Sequence, residues 1–230
     1  MSTPLVSVLL PTRGRVAHLE RSLKSLAETI DQKVRAEIIV RCDDDDLETK
    51  RWLEAHSKTW SLLLHGPRGQ GYADLHLMYD DMCRMSRGQF LFMWNDDNTM
   101  QTTGWDLEIA KHASNDDYPL YLDTTVYNGP EIHHYVLPIV HRSYWHILGR
   151  YSASAHNDTY IYEVLHPFFD RVYRPTNIVV QHHHEMVANN DRTYLEGKQV
   201  HPMTKRPWKD NSILVPLRED REKIARFLAG

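Results

Sequence analysis

Asn95-Asp96-Asp97-Asn98 and His182-His183-His184-Glu185 are the two stretches whose residue types can hold a cation. Two adjacent carboxylates at the end of an apolar run repel each other unless a cation or strong donors neutralise them, and carboxylate oxygens suit Mg²⁺ or Mn²⁺. A turn, which Asp and Asn favour for their local hydrogen bonding, explains the same four residues. On a strand alternate side chains share a face, so His182 and His184 form a chelating pair and His183 points the other way. A surface cluster in a chain with 15 histidines explains that run equally well. Neither H-E-x-x-H nor a Cys/His zinc-finger spacing occurs. Gly66-Pro67-Arg68-Gly69-Gln70-Gly71 matches neither G-x-G-x-x-G nor a Walker loop, and reads as a tight turn that brings Arg68 near phosphate. No G-x-S-x-G elbow is present, and Cys42 and Cys83 lack an accompanying histidine arrangement, which disfavours serine and cysteine hydrolases.

The elements that must position these residues alternate. Val6 to Leu10 reads as a strand ended by Pro11, followed by the loop PTRGR and a helix with an apolar stripe at Leu19, Leu23, Leu26 and Ile30. Glu37 to Val40 reads as a second strand before the acidic run Asp43 to Asp46, then come a short helix over Leu47 to His56 and a strand over Trp60 to Leu64. A helix carries Leu75, Met78, Tyr79, Met82 and Met85, with Gly88 as its stop, and Gln89 to Trp94 is the most strand-like run of all. This alternation predicts an α/β layered fold with a central, mainly parallel sheet and a ligand site at the carboxyl ends of its strands. Later elements are less regular: helices near Trp105 to Ala113, Ser143 to Leu148 and Thr159 to Leu165, strands near Leu120 to Asp123, Val136 to Val140 and Ile178 to His184, and a last amphipathic helix over Arg218 to Leu228. The absence of a linker, repeat or low-complexity segment predicts one domain over 1–230, whose regular alternation covers about 1–100 and whose less regular part covers about 101–230.

Composition sets the outer bounds. With 230 residues, 41% hydrophobic and 25% charged, the chain is neither disordered nor collagen-like. It has no run approaching the roughly 18 apolar residues of a membrane span and no basic leader region, so the sequence predicts a cytoplasmic protein. Two cysteines exclude a disulfide framework. The net charge of -4 hides a skew: residues 61–131 carry 4 basic and 11 acidic side chains, and 10 of the 15 histidines fall between His133 and His201.

Taken in order, SVLLPTRGR, EIIVRCDDDD, GQFLFMWNDDN with GWD, HND, and QHHHEM with NNDRTY make the chain resemble nucleotide-sugar glycosyltransferases of the GT-A fold, more narrowly the inverting family 2 type, over roughly residues 5–195. The resemblance implies that Pro11, Thr12 and Arg13 line the nucleotide pocket and that Asp43 bonds the base, usually uracil. It implies that the D-x-D stands here as Asn95-Asp96-Asp97, so that Asp97 is the main metal ligand with Asp96 beside it, and that His182 or His184 completes the shell of Mn²⁺ or Mg²⁺. The Glu-Asp pair that supplies the base reads Asn157-Asp158, which makes Asp158 the implied catalytic base. Asn95 and Asn157 are departures from the pattern. An inverting transfer needs one carboxylate to take the acceptor's proton, whereas a retaining one would need a second, for which Glu163 is the nearby candidate. A helix N-cap would equally explain Asp158.

The function expected is therefore metal-dependent, inverting transfer from a nucleotide-sugar, UDP-linked, to an acceptor hydroxyl. A nucleotidyltransferase making a nucleotide-sugar, a histidine-metal hydrolase and an inactive nucleotide-sugar-binding protein are the alternatives. The acceptor is a glycan or a hydroxylated base in phage DNA; for DNA, Lys205, Arg206, Lys209, Arg218 and Arg221 with Trp208 form a basic patch able to grip phosphates.

Overall fold

Continuous apolar runs build one end of the sheet. In the computed structural model, which describes residues 3–31, 36–113, 119–183 and 211–230, β1 (Val6–Thr12), β2 (Ala36–Asp43), β3 (Leu62–Gly66) and β4 (Phe90–Met93) lie in the order β3-β2-β1-β4, all parallel. β1 and β4 are buried along their whole length, as central parallel strands are. The connections carry α1 (Val16–Thr29), α2 (Leu47–Ala55) and α3 (Leu75–Met85); α1 buries Leu19, Leu23 and Leu26 of its expected stripe with Ile30 just past its end, and α3 buries Tyr79 and Met82 while Met85 is exposed.

Two local expectations change. β1 runs on through Pro11 and Thr12 rather than ending before the proline. The Trp94 amide bonds the Leu9 carbonyl, so Leu9, and Pro11 two residues on, face the β4 side, where the pairing with β4 has already ended at Met93. The proline's missing N–H therefore removes no ladder bond. Gly88 is not the stop of α3, which ends at Met85. It lies against β1 instead, where a Cβ would come within 2.5 Å of the Ser7 backbone nitrogen.

The other end of the sheet is mixed. It contains β5 (Asn98–Met100), β6 (Tyr121–Asn128), β7 (Glu131–His133), β8 (Ile139–His141) and β9 (Tyr173–His182). The order continues β4-β8-β6-β9-β5, with β7 paired to β6. β8 is antiparallel to β4 and β6, β9 is parallel to β6, and β5 is antiparallel to β9. The result is the α/β layered architecture with a large, mainly parallel sheet. β5 and β7 escaped prediction because three residues are too few to show a period.

Around this end stand α4 (Trp105–Ala110), α5 (Arg142–Leu148), α6 (Asn157–Leu165), α7 (Phe169–Val172) and α8 (Asn211–Ala229). α8 starts earlier than its sequence pattern predicts and docks on α5 and α6 through Leu217, Ile224 and the fully buried Asp220. Asp220 accepts both Nε and Nη2 of Arg150, at 2.9 and 2.8 Å, and the Tyr160 hydroxyl at 2.7 Å. Among the described residues no helix is long and apolar enough to cross a membrane.

Candidate active site

The carboxyl ends of β1, β2 and β4 meet as the parallel topology requires, and the loops leaving them carry the site. Asp96, fully buried just beyond β4, accepts the Thr12 hydroxyl at 2.7 Å and lies 2.6 Å from a guanidinium nitrogen of Arg15. The same arginine reaches Asp97 at 3.7 Å. The two adjacent carboxylates are thus partly neutralised by a residue that sequence reasoning passed over, since PTRGR held two arginines and only Arg13 had been singled out. Gly14 between them has φ +61°, a backbone state that an L side chain disfavours, and its N–H donates to Asp46 at 2.6 Å. This turn sends Arg13 and Arg15 to different carboxylates.

Arg13 goes to the end of β2. One of its nitrogens donates to Asp43 at 2.8 Å, and it also engages Asp45, which raises its already high pKa chiefly through the Asp45 bond. Arg41, buried within β2, donates to the other Asp43 oxygen at 2.6 Å and to the Pro67 carbonyl at 3.0 Å. A Cβ on Gly66 would strike this guanidinium. Asp43 is therefore oriented by two guanidinium groups, with Arg68 near enough to act electrostatically on Asp45. Asp46 has a structural task as the N-cap of α2, accepting the Thr49 amide.

The histidine run arrives from the far end of the chain. β9 pairs antiparallel with β5, setting His182 opposite Asn98, and this register places His182 Nε2 3.4 Å from Asp97 Oδ1. His183, just past the end of β9, has its ring nitrogen 3.1 Å from the Thr99 hydroxyl, and burial lowers its pKa. His184 lies outside the described residues, as do Lys205, Arg206, Trp208 and Lys209 of the basic patch. Its remaining members are on α8, where Arg218 is exposed and Arg221 donates to the Glu163 carbonyl and carboxylate.

Asp158 sits in the first turn of α6, one residue inside the helix; His156 occupies the cap position, so the N-cap explanation of Asp158 is set aside. Burial raises its carboxyl pKa, opposed by hydrogen bonding at Thr159 and the charge of His156. Asp158, Asp96 and Asp97 all act electrostatically on one buried group, the Tyr79 hydroxyl, which burial and these charges hold in its protonated form. That hydroxyl donates to Asn95 Oδ1 and lies within bonding distance of the Trp94 carbonyl, each at 3.0 Å. The Asn95 departure has a neighbour that suits an amide as acceptor. Asn157 is likewise buried, with its amide nitrogen donating to the Ala155 carbonyl, a contact a carboxylate could not make. Tyr79 was legible in sequence only as one more member of an apolar helical stripe.

Octahedral ligands at about 2.1 Å from Mg²⁺ or Mn²⁺ stand about 3 Å apart at right angles, and the Asp97–His182 separation fits that spacing. Among the described residues no cluster of three or more His, Cys, Asp or Glu side chains is disposed to hold a metal. Two protein donors suit a hard cation that keeps waters and takes its other ligands from substrate phosphates.

The family model described as Glycosyl transferase family 2 matches residues 7–190. Among solved structures, S. aureus TarS 1-349 in complex with UDP superposes with a TM-score of 0.63 at 11% identity, covering 90% of this chain and 72% of that one. The same protein with UDP-GlcNAc gives 0.55 at 14%, over 77% and 55%. A mannosyltransferase from Pyrobaculum calidifontis in complex with GDP-Man and Mn²⁺ gives 0.57 at 15%, over 100% and 75%. At these identities the likeness is one of fold. No curated protein sequence matches the chain.

Proposed function

The chain belongs to glycosyl transferase family 2 and is a glycosyltransferase, and from that premise we propose that it moves a sugar from a UDP-linked donor to an acceptor hydroxyl with inversion, using Mn²⁺ or Mg²⁺. The observation that carries this reading is the delivery of His182 by β9 to within 3.4 Å of Asp97, beside the carboxyl ends of the parallel strands.

In this reading Pro11, Thr12, Arg13 and Asp43 line the nucleoside pocket. Asp43 keeps lone pairs for a base N–H after binding two arginines, because a carboxylate offers about four acceptor sites. Arg68 stands towards the phosphates, and Asp96 anchors Thr12 and Arg15 at the pocket's floor. Asp97 and His182, with His184 as the further candidate, hold the cation, which when bound supplies neutralisation of charge building on the departing diphosphate. Asp158 takes the proton from the acceptor hydroxyl as its oxygen attacks the anomeric carbon and the bond from that carbon to the diphosphate oxygen breaks, releasing UDP. Burial makes Asp158 a stronger base than an exposed aspartate. A double displacement is less well served, since the Glu163 carboxylate is bound by Arg221 at 2.9 Å. The TarS complexes with UDP and UDP-GlcNAc support the choice of uridine.

The test is UDP release from UDP-sugars by chelator-treated protein. Adding Mn²⁺ or Mg²⁺ should restore activity and Asp97→Ala should remove about 10²-fold of it or more, equivalent to several kcal/mol of charge stabilisation. Activity indifferent to chelator and to Asp97→Ala overturns the site; equal turnover of GDP-sugars overturns the uridine assignment.

A further inference from the structure

Asp158 opens a stripe. Four residues on, Tyr162 lies about 6 Å further along α6, and His166, just past the helix's last residue Leu165, follows four residues later. Their rings pack at a centroid distance of 4.8 Å, and Tyr135 comes across from the β7–β8 connection to pack on Tyr162, also at 4.8 Å. Tyr135 has φ 65°, the only positive value among described non-glycine residues, and a conformation a bulky side chain disfavours. It is held there by its own N–H, which donates to the buried Asp123 at 2.9 Å. Tyr162 and Tyr135 are half-exposed and His166 is exposed; Tyr135 also packs against the core, so the strip is the core's partly open aromatic edge. Beneath it the fully buried Tyr121 has a hydroxyl without a hydrogen-bond partner among the described residues, under the influence of both Asp123 and Asp158.

We propose that the Tyr135–Tyr162–His166 strip is the acceptor subsite and that its ligand is a carbohydrate ring stacked on Tyr162, offering one hydroxyl to Asp158. The inference rests on the reading of Asp158 as base. Sugar C–H bonds, polarised by their oxygens, are attracted to the negative faces of aromatic rings. A nucleobase would stack as well, but a polyanion needs cations along its path. The nearby guanidinium groups are drawn into the protein: Arg221 to Glu163, Arg171 to the Leu228 carbonyl and Arg174 to the Tyr173 carbonyl.

Saturation-transfer NMR of the full chain with methyl β-glucoside, methyl β-N-acetylglucosaminide and methyl α-mannoside tests this. Transfer to sugar C–H protons is expected for at least one probe. Tyr162→Ala should weaken its binding about tenfold, the size of one aromatic stacking interaction, while Tyr162→Phe retains it. If Tyr162→Ala fails to fold, His166→Ala at the solvent end reads the same loss. No transfer from any probe, or binding unchanged in the alanine variants, overturns the proposal. Salt-dependent binding of a duplex DNA oligonucleotide that is lost in His166→Ala overturns it in favour of nucleic acid. UDP titration of the wild-type protein is read separately: its failure sinks the donor site and leaves the sugar result to stand or fall alone.

Discussion

The parallel end of the sheet and its mixed end treat buried acid differently. At the parallel end each carboxylate of the site meets a guanidinium: Asp43 meets Arg13 and Arg41, and Asp96 meets Arg15. At the mixed end the fully buried Asp220 is likewise matched, by Arg150, but Asp158 and Asp123 are surrounded by hydroxyls, backbone N–H groups and histidines, and burial pushes both carboxyls up. A carboxylate matched by guanidinium groups is a fixed hydrogen-bond acceptor, while one raised by burial holds its proton more strongly. In the proposed reading the contrast separates binding from proton transfer, with the first end holding the donor and the second accepting a proton.

The sharpest way to break this division is Asp158→Asn. Transfer should fall by about 10²- to 10⁴-fold while UDP affinity, measured by calorimetry, stays unchanged. A collapse of UDP binding would show that the two ends do not divide the work. Next in size is Asp220→Ala, which leaves Arg150 without its bidentate partner and frees α8 from α6. Urea unfolding should show a loss of about 3 kcal/mol, and a loss below 1 kcal/mol would mean that α8 contributes little to holding the mixed end. Thr12→Val removes the hydroxyl that serves Asp96 and should lower stability by about 1.5 kcal/mol, in keeping with a hydrogen bond to a buried charge.

The smallest expected effect is the pH response of Asp158 itself. Because burial raises its pKa in the folded state, the folded protein binds that proton more tightly than the unfolded chain does. Stability therefore falls as pH rises from the ordinary aspartate value, about 3.9, through the raised one. Asp158→Asn abolishes this loss, so the variant should melt above wild type at about pH 7, with the gap closing near pH 3, below the ordinary value. In the wild type kcat/KM should fall as pH drops through the same raised value, because the base must be ionised. A melting gap independent of pH would show that Asp158 is not the group responsible.

Much of the parallel end was legible because its signals are local. Continuous apolar runs marked β1, β2 and β4, and the loops PTRGR, CDDDD and NDDN sat where strand ends must place them. The exceptions also have local causes: Pro11 remains in β1 because the pairing on its free side has ended, and Gly88 answers to the backbone of Ser7 rather than to α3. The mixed end was less legible. Short strands such as β5 show no period, and Arg174, Pro175 and Asn177 interrupt the apolar pattern at the start of β9, which begins five residues before the predicted Ile178.

Residue types and their order by themselves determined the layered α/β class, the strand-end position of Asp96 and Asp97, and the kinship with family 2 glycosyltransferases. These follow from periodicity and from motifs carried in short stretches of chain. Only the tertiary structure decided that Asp96 meets Arg15 and Thr12, residues 81 and 84 positions away, and that β5 pairing with β9 sets His182 against Asp97. Burial and pairing depend on what the rest of the chain brings alongside, and no local pattern encodes that.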